Sequence, residues 1–245
     1  MCRDEQGRPC FSAGNSAAVF RIRLGGRIRS LRCYLRPMRH LKEIYGQRLL
    51  EKELYLHTSP ETGVWVDTVL GDWIEGSTLH ETVAQAAALR DRESLQILVR
   101  LFDRLALALV TDDRAHGDLK PENIIVGDDG TLCPIDFDAS YLPAFAGEIS
   151  PELGTAAYQH PARTAADFDE RIDDYPAALI STALHALAED PTLWDRYGSS
   201  DGLLYTPQRI ASDPAYRETL ALFEKRGMAV QYRIAQLLTA PTLRL

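Results

Sequence analysis

An ordered polar segment in the middle of the chain constrains this sequence more than any other feature. Residues 116–123 read His-Gly-Asp-Leu-Lys-Pro-Glu-Asn, and an Asp-Phe-Asp triplet follows at 136–138. The apolar run Ile124-Ile125-Val126 directly after the first segment predicts a short strand. Each polar residue alone would suit an ordinary solvated turn, but their fixed order beside a strand favours a functional loop.

The residue types in this segment suit phosphoryl transfer from a nucleotide. Such a transfer needs a group that orients the attacking hydroxyl, positive charge near the transferred phosphate, and oxygen ligands for magnesium. Asp118 is a candidate to accept the hydroxyl proton, and Lys120 is a candidate to screen the γ-phosphate. Asn123 and Asp136 offer the hard oxygen ligands that magnesium prefers.

The segment resembles the catalytic loop and metal-binding strand of protein kinases. Downstream, residues 154–161 read Gly-Thr-Ala-Ala-Tyr-Gln-His-Pro and resemble the end of a kinase activation segment. In the family, an Asp at the place of Asp173 braces the catalytic loop, although a plain helix cap would also explain this residue. Because Lys120 stands two residues after Asp118, the chain is identified as a divergent, bacterial-type member of the eukaryotic-like Ser/Thr protein kinase superfamily.

The resemblance implies an α+β, bilobal protein-kinase-like fold. It assigns residues 1–71 to an N-terminal lobe with a small antiparallel β-sheet and one main helix. Residues 72–76 are the expected hinge, and residues 77–245 are expected to form a mostly helical, shortened C-terminal lobe that carries the catalytic loop and activation segment.

Local patterns predict the individual elements. The alternation of Phe20, Ile22 and Leu24 predicts a strand, and Gly25-Gly26 predicts a two-residue hairpin turn at its end. The other predicted elements are a helix over residues 38–57, a strand over residues 64–70, a core-facing helix with Leu95, Leu98, Phe102, Leu105 and Leu109, and a helix that begins at Asp173-Asp174-Tyr175-Pro176 and ends near Ala188.

The resemblance also implies a nucleotide site in the N-terminal lobe. Small residues near the start of the chain resemble a glycine-rich loop, although Gly14 is the one glycine left of the usual three. Ser30 and Arg32 share a strand face where the kinase pattern has an aliphatic pair and then a phosphate-binding lysine. Glu51 is the expected helix-borne partner of Arg32, with Glu53 as the second choice. The implied cofactor-binding residues are Gly14, Asn15, Ser16, Val19, Ser30, Arg32, Glu51, and Asp72 and Ile74, whose backbone groups are expected at the adenine edge.

Two departures from the family's pattern concern positive charge. Arg32 replaces the phosphate-binding lysine with a planar and larger cation. Gly117 replaces the arginine that would gather a phosphorylated activation loop. We therefore predict activity that is independent of phosphorylation at Ser140, Ser150 or Thr155.

Two further departures lie beside the expected metal ligands and the activation segment. Asp138 stands where the family has a glycine after Asp-Phe, which predicts the loss of a permissive backbone position and an added carboxylate near the metals. Ala162 replaces a Glu that usually follows Pro161, so a buried ion pair is forfeited.

The charge distribution limits the classes of partner. The net charge of −8 argues against general nucleic-acid binding. Residues 20–52 nevertheless hold ten Lys or Arg against two Glu, a local net charge of +8, which suits a nucleotide, an acidic partner or an ordinary solvated face.

The expected compartment is the cytoplasm. No apolar run approaches the roughly 18 residues of a membrane span, and the N-terminus has no basic segment followed by an apolar one. The four cysteines are scattered, so free thiols are expected rather than disulfides or a zinc site.

Three functions stay open on the sequence. The first is Mg²⁺-dependent transfer of the ATP γ-phosphate to Ser or Thr of a protein, with ATP and Mg²⁺ as cofactors. The second is a pseudokinase that binds nucleotide or a partner protein without turnover, which Arg32 and Asp138 favour. The third is a small-molecule kinase, which Gly117 favours. The sequence identifies neither the protein substrate nor a regulatory partner protein.

Overall fold

A computed structural model describes residues 1–3, 5–14, 16–57, 59 and 61–242. The predicted binding residue Asn15 lies outside the described residues. The chain divides into two compact units, Met1–Ile74 and Glu75–Leu245. Residues 72–76 span the boundary between the units, and their role as a hinge stays a prediction.

The N-terminal unit is built on a five-stranded antiparallel sheet with the strand order β1-β2-β3-β5-β4. Its central hairpin confirms the predicted turn, because Leu24 pairs with Arg27 and Gly25 and Gly26 have φ of 56° and 78°. Positive φ at both turn residues is what a two-residue hairpin loop requires. The strands are β1 Phe11–Ala13, β2 Ala17–Leu24, β3 Arg27–Tyr34, β4 Leu49–His57 and β5 Gly63–Asp72.

The predicted helix over residues 38–57 is wrong. Helix α1 covers Leu41–Tyr45 only, and after a 3-10 turn the chain continues as strand β4. The end of this segment has the alternation of a strand, since Leu54 and Leu56 are half-buried whereas Tyr55 and His57 are exposed. Pairing of β4 with β5 decides between the two patterns. The α+β class and the antiparallel sheet are confirmed, but the main helix of this unit has five residues.

The C-terminal unit is mostly helical and contains a three-stranded antiparallel sheet with the order β6-β7-β8. The predicted core-facing helix is confirmed as α3, which begins after an Asp91 side-chain cap. Helix α2 begins with a capping box between Thr78 and Glu81. The elements are β6 Gly76–Thr78, α2 Leu79–Ala88, α3 Arg92–Thr111, β7 Ile124–Gly127, β8 Leu132–Pro134, α4 Asp174–Glu189, α5 Leu193–Tyr197, α6 Pro214–Arg226 and α7 Ala229–Leu237.

Helix α4 is the centre of the C-terminal core, because 14 of its 16 residues are buried. It packs in one cluster with Phe102 of α3, Phe223 of α6 and, after them in the chain, Ala235 and Leu238. A helix that is apolar on all sides must be covered on all sides. None of the helices in the described part of the chain has the length and apolar content needed to cross a membrane.

Candidate active site

The loop that carries Asp118 is held by a buried carboxylate. Asp173 precedes helix α4 and accepts hydrogen bonds from the backbone N–H groups of His116 and Gly117, the latter at 3.0 Å. Its side chain makes no capping bond to its own helix, so it acts as the expected brace rather than as a cap. Burial raises the pKa of Asp173, and these two hydrogen bonds together with the nearby charge of Arg163 act in the opposite direction.

His116 links this loop to the segment that follows β8. Its Nε2 lies 2.8 Å from the carbonyl oxygen of Ile135, and its Nδ1 lies 3.3 Å from the backbone nitrogen of Asp118. A carbonyl only accepts and a backbone N–H only donates, so these contacts fit the neutral imidazole with its proton on Nε2. The ring also packs against Phe137, with centroids 4.9 Å apart.

Three donors converge on the carboxylate of Asp118. Oδ1 accepts from the backbone N–H of Thr155 at 2.5 Å. Oδ2 lies 3.2 Å from both Nζ of Lys120 and Nδ2 of Asn123. The carboxylate is thereby fixed in orientation while part of it stays exposed, since its side chain is 20 % exposed. The structure thus brings together three of the predicted catalytic-loop residues.

Lys120 also joins the loop to the predicted activation segment. Its Nζ donates to Oγ1 of Thr155 at 2.8 Å. Thr155 therefore contacts Asp118 through its backbone and Lys120 through its side chain. The Gly-Thr run singled out in the sequence lies directly against the candidate base.

Asn123 and Asp136 are brought close by the backbone. The N–H of Ile135 donates to the carbonyl of Asn123 at 2.8 Å, and Asp136 is the next residue. Asp136 has φ of 68°, a left-handed conformation that Asp adopts more readily than most residues. The side-chain amide of Asn123 donates to the Asp118 carbonyl at 2.9 Å, which leaves its Oδ1 as an acceptor.

The donor set of Asn123 and Asp136 fits magnesium. One amide oxygen and one carboxylate are hard oxygen ligands, and no sulfur is present. Among the described residues, no group of three or more His, Cys, Asp and Glu side chains forms a metal cage. Magnesium is commonly held by one or two side chains together with substrate phosphates and water, so two ligands are sufficient for this ion.

The structure explains one departure from the kinase pattern, at Gly117, and corrects the expectation for another, at Asp138. Gly117 has φ of 82°, and a Cβ at this position would overlap the backbone carbonyl of Ala139. A side chain is therefore excluded here. The expectation that Asp138 replaces a permissive backbone position is wrong, because Asp138 lies in the 3-10 turn Phe137–Ala139 and the left-handed residue is Asp136.

The predicted binding residues Val19, Ser30 and Arg32 share one face of the N-terminal sheet. Val19 pairs with Arg32, and Arg21 pairs with Ser30, which places all four on the same side. The guanidinium of Arg32 lies 5.9 Å from the ring centroid of Tyr34. A cation on this face stays compatible with phosphate binding.

Two described residues of the predicted glycine-rich loop, Gly14 and Ser16, precede strand β2 and are bonded within the N-terminal unit. The N–H of Gly14 donates to the carbonyl of Ala17 at 2.9 Å, so it is not directed at a ligand. The hydroxyl of Ser16 accepts from Arg36 at 2.8 Å, and the carbonyl of Ser16 accepts from the N–H of Leu35. These two predicted loop residues are therefore engaged within the unit itself.

Glu51 differs from the expected arrangement, whereas the adenine-edge role of Asp72 and Ile74 stays a prediction. Glu51 is exposed on strand β4, and since β5 separates β4 from β3, the role of a helix-borne partner for Arg32 is wrong for this residue. At the end of β5, the carbonyl of Asp72 accepts from the Ser30 hydroxyl at 3.1 Å. Ile74, the other residue predicted at the adenine edge, is the last residue of the N-terminal unit.

Arg163 is a residue beside the site that sequence reasoning missed. It is 9 % exposed, and its Nη1 donates to the carbonyl of Gly117 at 3.1 Å and to Oε1 of Gln159. Nothing in its spacing distinguishes it from a surface arginine, so the sequence offered no signal for its burial.

The fold and this set of side chains define a protein-kinase-like protein, and the chain is related to the protein kinase superfamily. It is 34 % identical to Serine/threonine-protein kinase PknL of Mycobacterium tuberculosis over 113 residues, or 44 % of this chain and 27 % of that protein. It is 25 % identical to Serine/threonine-protein kinase chk1 of Schizosaccharomyces pombe over 160 residues, or 63 % of this chain and 31 % of that protein. The matched segments thus span less than a third of either relative. No protein-family model matches the sequence.

Proposed function

We propose that this chain transfers the γ-phosphoryl group of ATP to a Ser or Thr hydroxyl of a protein. The observation that carries the proposal is the convergence of Thr155 N–H, Lys120 and Asn123 on the Asp118 carboxylate. A candidate base that is fixed in orientation and still accessible meets the geometric requirement for accepting a hydroxyl proton.

Each residue of the site has a distinct task in this proposal. Asp118 orients the substrate hydroxyl and takes its proton as the bond to phosphorus forms. Lys120, at 3.2 Å from the same carboxylate, offsets negative charge on the transferred group. Asn123 and Asp136 would hold Mg²⁺, which neutralises phosphate charge when bound.

A protein is the acceptor that the contacts of Lys120 favour. Lys120 binds Thr155 of the predicted activation segment, so the loop and that segment form one surface beside Asp118. The curated relatives are named as Ser/Thr protein kinases, which supports the same choice. The protein substrate and any regulatory partner belong to the proposal and are not identified by the site.

Incubation with γ-labelled ATP and Mg²⁺ tests the proposal on a basic protein acceptor and on the chain itself. Wild type is expected to incorporate label, and Asp118→Ala and Asp136→Ala are expected to lose it by about 10²-fold or more. Asp128→Ala serves as the matched control, because Asp128 is exposed in the turn between β7 and β8. Label that is indifferent to Asp118 and Asp136 would exclude this site as its source.

A pseudokinase is the second candidate, and the N-terminal unit supplies the observations that favour it. The N–H of Gly14 is bonded to the carbonyl of Ala17, and Glu51 lies on a strand rather than on a helix. Arg32 also differs from lysine in size and shape. A rise in melting temperature with ATP and Mg²⁺, without incorporated label, would favour this candidate over the first.

A further inference from the structure

Arg163 is a buried cation next to the candidate catalytic loop. Nη1 donates to the carbonyl of Gly117 and to Gln159, whereas Nε and Nη2 are buried without a hydrogen-bond partner among the described residues. Burying a cation with unsatisfied donors costs free energy, and an apolar side chain of the same volume would usually pack at lower cost. Packing alone therefore does not explain an arginine here.

The surroundings of Arg163 connect the two segments that meet at Asp118. A Cβ on Gly154 would lie 2.8 Å from the carbonyl oxygen of Gly117 and 3.0 Å from Oδ1 of Asp118, so these backbones are in close approach. Gln159 lies in the same place, with Nε2 at 2.8 Å from that Cβ position. Arg163 thus bonds to both the catalytic loop and the segment that follows Gly154.

The charged groups around Arg163 also connect this side chain to the candidate catalytic loop. Burial lowers the pKa of its guanidinium, and the carboxylates of Asp173 and Asp118 oppose that effect. These two residues bond, respectively, to the N–H of Gly117 and to the N–H of Thr155. The positive charge of Arg163 therefore attracts both carboxylates that hold the loop.

Position 117 itself has no room for a cation, because any side chain would overlap the Ala139 carbonyl. We propose that Arg163 is a positioning residue that holds the Gly117 carbonyl from the downstream side of the activation segment and so fixes the Gly117–Asp118 peptide against Thr155. The tie is made by a side chain that is always present, and it requires no phosphate group. Its effect on turnover rests on the proposed function, whereas the ordering of the loop does not.

Hydrogen exchange of single backbone amides, followed by NMR, tests the ordering without reference to activity. Arg163→Met keeps most of the side-chain length and removes the charge and donors. It is expected to speed exchange about tenfold at the N–H groups of Gly117 and Thr155, because a loosened Gly117–Asp118 peptide weakens their hydrogen bonds to Asp173 and Asp118. Arg171→Met is the matched control, since the side chain of Arg171 is 45 % exposed, and it is expected to leave both amides unchanged.

Arg163→Lys keeps the charge but not the planar fork, so an intermediate increase in exchange is expected. This variant decides the question if Arg163→Met does not fold. Exchange at Gly117 and Thr155 that equals wild type in the folded variants would overturn the proposal.

The same variants are then assayed with γ-labelled ATP. Arg163→Met is expected to lower kcat about 10- to 100-fold with little change in the KM for ATP, because misplacement of the base affects the chemical step. Wild type without turnover would count against the proposed function alone, and the exchange result would still decide the role of Arg163. An active Arg163→Met protein with wild-type exchange would overturn the positioning role alone.

Discussion

Gly117 shows at the scale of one residue how the candidate catalytic loop departs from the kinase pattern. Its φ of 82° and the close Ala139 carbonyl exclude a side chain. The sequence could show that a glycine stands in place of arginine, but the reason lies in a contact between segments about 20 residues apart. Arg163 illustrates the same limit, because its burial depends on the positions of Gly117 and Gln159 rather than on local pattern.

Gly117→Ala is expected to lower the free energy of unfolding by about 2–5 kcal/mol, since a left-handed non-glycine residue costs roughly 1–2 kcal/mol and overpacking adds roughly 1–3 kcal/mol. Urea denaturation measures the change. Gly130→Ala is the control, because Gly130 has φ of 77° and nothing lies within 4 Å of its Cβ position. Equal losses for both variants would show that the overlap at Gly117 is relieved at no cost.

Phosphorylation of the activation segment is expected to be dispensable. Ser140 and Ser150 are both 6 % exposed, and the hydroxyl of Thr155 is bound by Lys120. Protein treated with phosphatase should therefore transfer phosphate at the rate of untreated protein. The measurement is the labelling rate before and after treatment, with mass spectrometry to confirm removal of phosphate. Activity that vanishes on treatment would contradict this expectation.

At the scale of elements, the sequence predicted the helices and strands that are specified by local residue patterns. The hairpin around Gly25-Gly26 needed only alternation and a turn, and helix α3 needed only regular apolar spacing. The apolar residues of the segment from Leu49 to His57 fitted a helical period and, at its end, a strand period, and pairing with β5 made the segment a strand. The residue pattern of one segment does not show whether that segment will pair with a distant strand. Glu51 was therefore predicted on a helix, whereas it lies on a strand.

Helices α3 and α4 share a polar contact whose pH dependence can be predicted. Asp103 of α3 accepts from the Ser181 hydroxyl at 2.9 Å and contacts Nε2 of His185 at 3.0 Å. Burial alone would raise the pKa of Asp103, but the hydrogen bonds and the charge of His185 lower it overall.

Asp103→Asn is expected to reduce stability by about 0.5–1 kcal/mol near neutral pH, a small value because 43 % of the Asp103 side chain is exposed and screened by solvent. The folded carboxyl has the lower pKa, so its stabilisation is full above roughly pH 4 and disappears as pH falls through the folded value. Urea denaturation at several pH values between 3 and 6 measures this difference. Asp128→Asn, at an exposed position, should show none. A difference that grows on acidification would contradict the assigned sign.

At the scale of the whole molecule, the two units have very different cores. The described core of the C-terminal unit runs from Leu79 to Leu238 and includes residues of all its long helices. The described cluster of the N-terminal unit contains Ala17, Tyr34, Leu41, Tyr45 and Val69. A unit of about 70 residues buries a smaller share of its surface than a larger one, so its stability is marginal.

Residues 75–245 expressed alone are therefore expected to fold and to unfold cooperatively in urea, with helical circular dichroism. Residues 1–74 alone are expected to show a shallow transition or none. The physical reason is that the larger cluster draws only on residues of its own unit. A fragment of residues 75–245 that remains unfolded would mean that its core depends on the N-terminal unit.

The burial of helix α4 on all sides has a consequence for the order in which the chain is made. Part of its cover, Ala235 and Leu238, is synthesised about 50 residues after the helix itself. During synthesis at roughly 5–20 residues per second, an apolar helix is left uncovered for seconds. The cell must tolerate or shield that exposed surface until helix α7 has left the ribosome.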